Sequence, residues 1–135
     1  MQKSLHVKNY LNPKFVTLKP DQYIKHVIFV FNKQNIFGAP VMDNLGNLVG
    51  VLSGSDCIQA AIEGNFDQNS HLTVSDLMTR DVKTVDSNYS ILFIAKEFMN
   101  SPYRFFPVMD DNRVIGIINR SDILRAISDA GSPLK

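Results

Sequence analysis

A single cysteine stands in this 135-residue chain, and tryptophan is absent altogether. One thiol excludes an internal disulfide and any metal site built on clustered cysteines, and it fits a reducing compartment. Cys57 lies beside Ile58 on an apolar helix face, where core packing is its expected role. Charge of one sign is equally scarce: 14 Lys and Arg against 13 Asp and Glu leave a formal net charge of +1. Proteins that track phosphate backbones carry a basic stripe or a strong basic excess, so nucleic acid is not an expected partner. No apolar run approaches the roughly 18 to 20 residues that span a bilayer, and the start Met1-Gln2-Lys3-Ser4-Leu5-His6 lacks a signal-peptide apolar stretch. A cytoplasmic location without membrane insertion is expected. The histidines His6, His26 and His71 are scattered, and no Cys/His metal spacing, Gly-x-Ser-x-Gly turn or Walker-type glycine loop occurs. Asp110 and Asp111 occupy a turn, where carboxylates serve backbone geometry. The chain reads as a non-enzyme with no required cofactor and no metal.

What the chain does have is repetition. Pro40-Val41-Met42-Asp43 returns as Pro107-Val108-Met109-Asp110, 67 positions later (107 − 40). The same offset carries Val7 onto Val74, Thr17 onto Thr84, Ile24 onto Ile91, Val27 onto Ile94 and Phe31 onto Phe98. Past the following turn the offset is 66 (116 − 50), so Gly50 meets Gly116, Ser55 meets Ser121, Asp56 meets Asp122 and Ala60 meets Ala126. The lost residue falls where Asn44-Leu45-Gly46-Asn47 faces Asp111-Asn112, which marks a hairpin turn. With 44% hydrophobic and 20% charged residues the composition is that of a globular protein. Copies of about 60 residues are marginal alone, so the two are expected to share one core as one module.

In the first copy, Phe15-Val16-Thr17-Leu18 reads as a short extended piece and Lys19-Pro20-Asp21 as a helix start. Ile24, Val27, Ile28 and Phe31 then line one face of a helix, matched in the second copy by Ile91, Ile94, Ala95 and Phe98. Gly38-Ala39-Pro40-Val41-Met42 and Leu48-Val49-Gly50-Val51-Leu52 are expected strands about an Asp/Asn/Gly turn, followed by a helix over residues 55–63. The order strand, helix, strand, strand, helix recurs at residues 83–85, 90–100, 105–109, 113–119 and 121–130. Residues 64–71, polar and rich in Asn, Gln and Ser, read as a linker.

The junctions that end each hairpin read Gly50-Val51-Leu52-Ser53-Gly54-Ser55-Asp56 and Gly116-Ile117-Ile118-Asn119-Arg120-Ser121-Asp122. Two such heptapeptides in register, each after a Pro-Val-Met-Asp strand and before an apolar helix, make the chain resemble the CBS domain in its tandem form, the Bateman module. The resemblance covers residues 7–130, with repeats at 7–66 and 72–130. It implies an α+β fold, an α/β-type CBS fold, of two β-α-β-β-α repeats packed with pseudo-two-fold symmetry. It further implies a regulatory, sensory role in which an adenosine-containing nucleotide such as AMP, ADP or ATP binds in the cleft between repeats.

A carboxylate accepts hydrogen bonds from both vicinal hydroxyls of a ribose, and Asp56 and Asp122 are placed for that task. The hydroxyl of Ser53 and the free N–H groups of a helix start suit phosphate oxygens. By the resemblance, Val16, Thr17, Ile36 and Gly38 border one site, and Lys83, Thr84, Tyr103, Arg104 and Phe105 the other. Ser53 to Asp56 also has the spacing of a helix-capping box, which uses the same atoms with no ligand present, and both readings stand. Asn119 departs from the Ser or Thr of the family pattern, leaving the second site with an altered donor.

All five arginines, Arg80, Arg104, Arg113, Arg120 and Arg125, belong to the second copy. An arginine fork suits phosphate, so Arg104 and Arg120 are expected to strengthen phosphate binding there, with Tyr103 either stacking on a purine or packing at an interface. Arg113 and Arg125 are expected to be solvated surface residues. In the first copy Phe37, opposite Arg104, and Gly54, opposite Arg120, bring no charge. The competing reading is a ligand-free interaction piece that forms a homodimer through apolar helix faces. A third is a detached piece regulating an unidentified enzyme, channel or transporter in trans.

Overall fold

The computed structural model describes residues 5–66 and 71–131, so the middle of the expected linker lies outside the described residues. The apolar stripes form their helices as expected. In α1 (Ile24–Gln34), Ile24, Val27 and Phe31 are buried, and α4 (Ile91–Met99) buries Ile91, Ile94 and Phe98. The helix α1 ends at Asn35, whose left-handed φ of 55° suits a short polar side chain. Strands β1 (Gly38–Met42) and β2 (Leu48–Ser53) form one antiparallel pair, and β4 (Phe105–Asp110) and β5 (Arg113–Asn119) form another. Helices α2 (Gly54–Ile62) and α5 (Arg120–Ala130) follow directly. The fold is α+β; the second copy has the full strand, helix, strand, strand, helix order, and the first has helix, strand, strand, helix with a lone bridge where the opening strand was expected.

The lost residue does lie in the hairpin turn. In the second copy Asp111 and Asn112 both take positive φ, 50° and 62°, closing a two-residue turn between the paired Asp110 and Arg113. In the first, Asp43 Oδ1 accepts from the backbone N–H groups of Leu45 at 2.9 Å and Asn47 at 2.8 Å, and Gly46 takes a φ of 83°. Both hairpins shift register at the same place, between Val41 and Met42 and between Val108 and Met109. The opening strand of each copy is shorter than expected. β3 (Val85–Asp86) pairs parallel to β4, while its counterpart is a single parallel bridge from Leu18 to Val41.

The expectation of one shared core is corrected. Two separate clusters form, one in the compact unit Val16–Val82 and one in the unit made of Met1–Phe15 and Lys83–Lys135. The reason is an exchange of leading segments. A 3-10 turn at Val7–Asn9, which opens the first copy, buries Val7 and Tyr10 in the cluster of the second copy's Ile94, Phe106 and Ile118. The matching short helix α3 (Val74–Leu77) buries Val74 and Met78 among the first copy's Ile24, Val27 and Leu52. Val7 and Val74 are fully buried, and each contributes about 1.5 to 3 kcal/mol.

Backbone bonds fasten both exchanges at equivalent positions. Asn12 and Ile117 exchange N–H···O=C bonds of 2.8 and 3.1 Å, and Thr79 and Val51 exchange a pair of 2.9 Å. The first glycine of each heptapeptide owes its identity to this close approach. A Cβ on Gly116 would stand 2.7 Å from the Asn12 carbonyl oxygen, and one on Gly50 would stand 2.9 Å from that of Thr79. These glycines serve the fold, leaving the downstream residues of the motif for any ligand.

Candidate functional site

The expected site residues fall into two groups, each within one unit. In the unit Val16–Val82, the Leu18 N–H donates to the Pro40 carbonyl at 2.9 Å and the Met42 N–H donates to the Leu18 carbonyl at 2.8 Å, which lays this segment alongside β1. Val16 and Thr17 lie just upstream of it. Across the hairpin, Gly38 is the register partner of Ser53. Val16, Thr17, Gly38 and Ser53 therefore converge on one end of the strand pair, where α2 begins. Ile36, two residues before β1, packs against the core.

At that junction Ser53 is extended, with φ −115° and ψ 162°, and caps α2. Its N–H donates to Asp56 Oδ2 at 2.8 Å and its Oγ donates to the same oxygen at 3.1 Å. The Asp56 N–H donates back to Ser53 Oγ at 3.3 Å. The capping box is thus formed, and it engages only one carboxylate oxygen. Among the described residues nothing bonds to Asp56 Oδ1. The neighbouring Cys57 thiol is buried in the core, and that burial, with the Asp56 charge adding to it, pushes its pKa up to about 11. It stays a thiol at neutral pH, in keeping with a packing role.

The second group repeats the geometry with different fittings. Phe105 is the register partner of Asn119, and Lys83 and Thr84 lead into β3 beside β4. The Asn119 N–H donates to Asp122 Oδ2 at 2.7 Å, and a capping box opens α5. Asp122 is buried, with its Oδ1 held by Arg125 Nη1 at 2.9 Å. Arg125 Nη2 also donates to the Tyr10 carbonyl at 2.8 Å, with the guanidinium 5.7 Å from the Tyr10 ring centre. Arg125 is exposed as expected, with its side chain 53% accessible, yet it also links the site carboxylate to the exchanged segment.

Arg120 departs from expectation. Its Nη2 donates to the carbonyls of Phe98 at 2.8 Å, Ser101 at 3.2 Å and Tyr103 at 3.3 Å, and the guanidinium stands 5.6 Å from the Phe98 ring centre. It stabilises the last turn of α4, where carbonyls lack helical partners. Tyr103 is half-buried with its ring 5.8 Å from that of Phe106, so it packs on the core. Arg104 is exposed at the entry to β4. Lys83 pairs with Glu97 at 2.8 Å, and the hydrogen bond to Glu97 raises its pKa.

Phe37 is a further neighbour of the first-copy site. Phe37, between Ile36 and Gly38, lays its ring against Gly54, and its carbonyl accepts the Gly54 N–H at 2.7 Å. The repeat register already set Phe37 opposite Arg104, and that was the available signal. Among the described residues no cluster of His, Cys, Asp and Glu could hold a metal ion, and no helix is long and apolar enough to cross a membrane.

The CBS domain family model matches residues 7–63 and again residues 74–129. The chain belongs to the CBS domain family. Its two matches make it a tandem CBS pair, the Bateman arrangement. The uncharacterized protein MJ1232 of Methanocaldococcus jannaschii is 38% identical over 83% of this chain. This CBS pair spans 36% of that relative's length and 42% of that of a second relative from the same organism. Among solved structures, the CBS domain pair of protein MJ0100 in complex with 5′-methylthioadenosine and S-adenosyl-L-methionine matches with a TM-score of 0.81 at 27% identity, covering 93% of this chain and 98% of that one. CBSX2 of Arabidopsis thaliana in complex with AMP matches with a TM-score of 0.79 at 25% identity, covering 93% and 97%.

Proposed function

We propose that this CBS pair is a regulatory module that binds an adenosine-containing ligand, with Asp56 accepting hydrogen bonds from the ribose hydroxyls. The observation that carries the reading is the half-used carboxylate. The capping box fixes Asp56 in place through Oδ2 and leaves Oδ1 available, so the acceptor is held in position before any ligand arrives. Val16, Thr17, Ile36 and Gly38 supply apolar and backbone surface beside it for a purine. The adenosine ligands carried by the pairs of MJ0100 and CBSX2 support the same reading. In the second copy, the proposed ribose acceptor Asp122 is already paired with Arg125, and any phosphate contact falls chiefly to Arg104 with Asn119, Lys83, Thr84 and Phe105 around it.

Thermal denaturation with AMP, ADP, ATP, 5′-methylthioadenosine and S-adenosylmethionine tests this. A ligand at 100 times its Kd adds about 2.7 kcal/mol, a shift of several degrees, and Asp56→Asn is expected to abolish most of it. If none of the five moves the midpoint, the reading is discarded. The second reading, a homodimeric interaction module acting on a partner protein, has its own support. Ile58 and Ile62, one helical turn apart on α2, are 54% and 74% exposed, and Leu124 on α5 is 69% exposed, apolar side chains that a partner would cover. Sedimentation equilibrium of the wild type against Ile62→Lys distinguishes it.

A further inference from the structure

The side chain that most distinguishes the first-copy site from the second is Phe37, and its position bears on what the ligand carries at its 5′ carbon. In the repeat register Phe37 stands where the second copy has Arg104, and the glycine it covers stands where the second copy has Arg120. A Cβ on Gly54 would come within 2.5, 2.7 and 2.8 Å of the ring atoms Cε1, Cδ1 and Cζ of Phe37. The ring therefore lies directly on the first residue of α2, while 45% of the residue stays exposed. The donors that a helix start offers to an anion are largely used within the chain. The Gly54 N–H goes to the Phe37 carbonyl at 2.7 Å and the Asp56 N–H to Ser53 Oγ at 3.3 Å.

A phosphate at this place would meet an aromatic face, the negative charge of Asp56 and a helix start whose Ser53, Gly54 and Asp56 N–H groups are already bonded within the chain. None of Val16, Thr17, Ile36, Gly38 or Ser53 offers a cation to offset its loss of water. A sulfur substituent has no such need. A thioether packs favourably against an aromatic ring, and a sulfonium is drawn to its face.

We infer that the first-copy site selects adenosine ligands whose 5′ carbon bears a sulfur substituent over those that bear a phosphate, and that Phe37 sets this choice. The inference rests on the adenosine reading of the Asp56 site above. The two readings separate in one titration: 15N-labelled protein is titrated with 5′-methylthioadenosine and with AMP, and each Kd is read from the Gly54 amide resonance. The wild type is expected to bind 5′-methylthioadenosine at least about tenfold more tightly than AMP, and Phe37→Arg to move the ratio about tenfold towards AMP by supplying the missing cation. Phe37→Leu, which keeps the site apolar but removes the ring, is expected to weaken 5′-methylthioadenosine about threefold and leave AMP unchanged. AMP binding as tightly as the thioether in the wild type, or a ratio that neither substitution moves, overturns the inference while leaving the adenosine reading intact. A Gly54 resonance that responds to neither ligand overturns both.

Discussion

At the opening of α2, Ser53 and Asp56 hold each other and leave one carboxylate oxygen without a partner among the described residues. At the opening of α5, the matching Asp122 is engaged by the Asn119 N–H on one oxygen and by Arg125 on the other. The two junctions share a heptapeptide, a capping box and a strand register, yet only the first keeps an acceptor in reserve. The difference comes from the neighbours. Arg125 lies one helical turn after Asp122, whereas the first copy has Gln59 at the matching place, bonded to Glu63 at 3.0 Å. Duplication preserved the local frame, and substitutions around it changed what the frame can bind.

The glycines that admit the exchanged segments give the largest expected effect. Gly116→Val drives a side chain into the Asn12 carbonyl and the Leu11 side chain, and is expected to cost about 3 kcal/mol or more. Gly50→Val is expected to cost less, because the backbone oxygen it would meet, that of Thr79, stands at 2.9 Å rather than 2.7 Å, and its other close neighbour is the flexible Met78 side chain. Thermal denaturation of both variants checks the order, and an equal loss would show the two exchanges to be equally tight.

Next in size is the contrast between the carboxylates. Asp122→Ala removes a cap and leaves Arg125 without its carboxylate partner, with an expected loss of about 2 to 3 kcal/mol, while Asp56→Ala loses the cap alone, about 1 kcal/mol. Urea denaturation measures both. If Arg125→Ala abolishes the difference, the arginine is its source; if the difference persists, Arg125 does not set Asp122 apart from Asp56.

The smallest effect concerns the unequal hairpins. The backbone N–H of Asn47, followed by its side chain, lowers the pKa of Asp43 from its ordinary 3.8. The stabilisation is therefore complete above the ordinary value and fades as pH falls through the lowered one. Asp43→Asn is expected to flatten the acid limb of the stability profile slightly, with Asp110→Asn at the matching position as the control. Midpoints of thermal unfolding between pH 5 and pH 2 provide the readout, and identical profiles for the two variants would remove the distinction between the turns.

Much of this architecture is legible in the residues. The stripes of Ile24, Val27 and Phe31 and of Ile91, Ile94 and Phe98 announce their helices, and residues 113–119 form a strand over the expected span. Ser53 and Asp56 announce their cap by spacing alone. The leading turns at Val7–Asn9 and Val74–Leu77 were not legible as elements, because a few residues carry too little pattern and draw their stability from docking. The roles of Arg120 and Arg125 were hidden for a related reason. A long cationic side chain reaches many partners, and the one that Arg125 Nη2 finds at Tyr10 is 115 positions away.

The residues by themselves determined the duplication, the order of the main elements and the cap that opens α2, because each depends on neighbours within one or two helical turns or on a copy at fixed offset. Only the tertiary structure decided that the leading segments are exchanged, that Asp122 is closed by Arg125 and that Phe37 covers Gly54. Those outcomes turn on which surfaces meet across long stretches of chain, and burial and packing select them among many arrangements that local spacing allows equally.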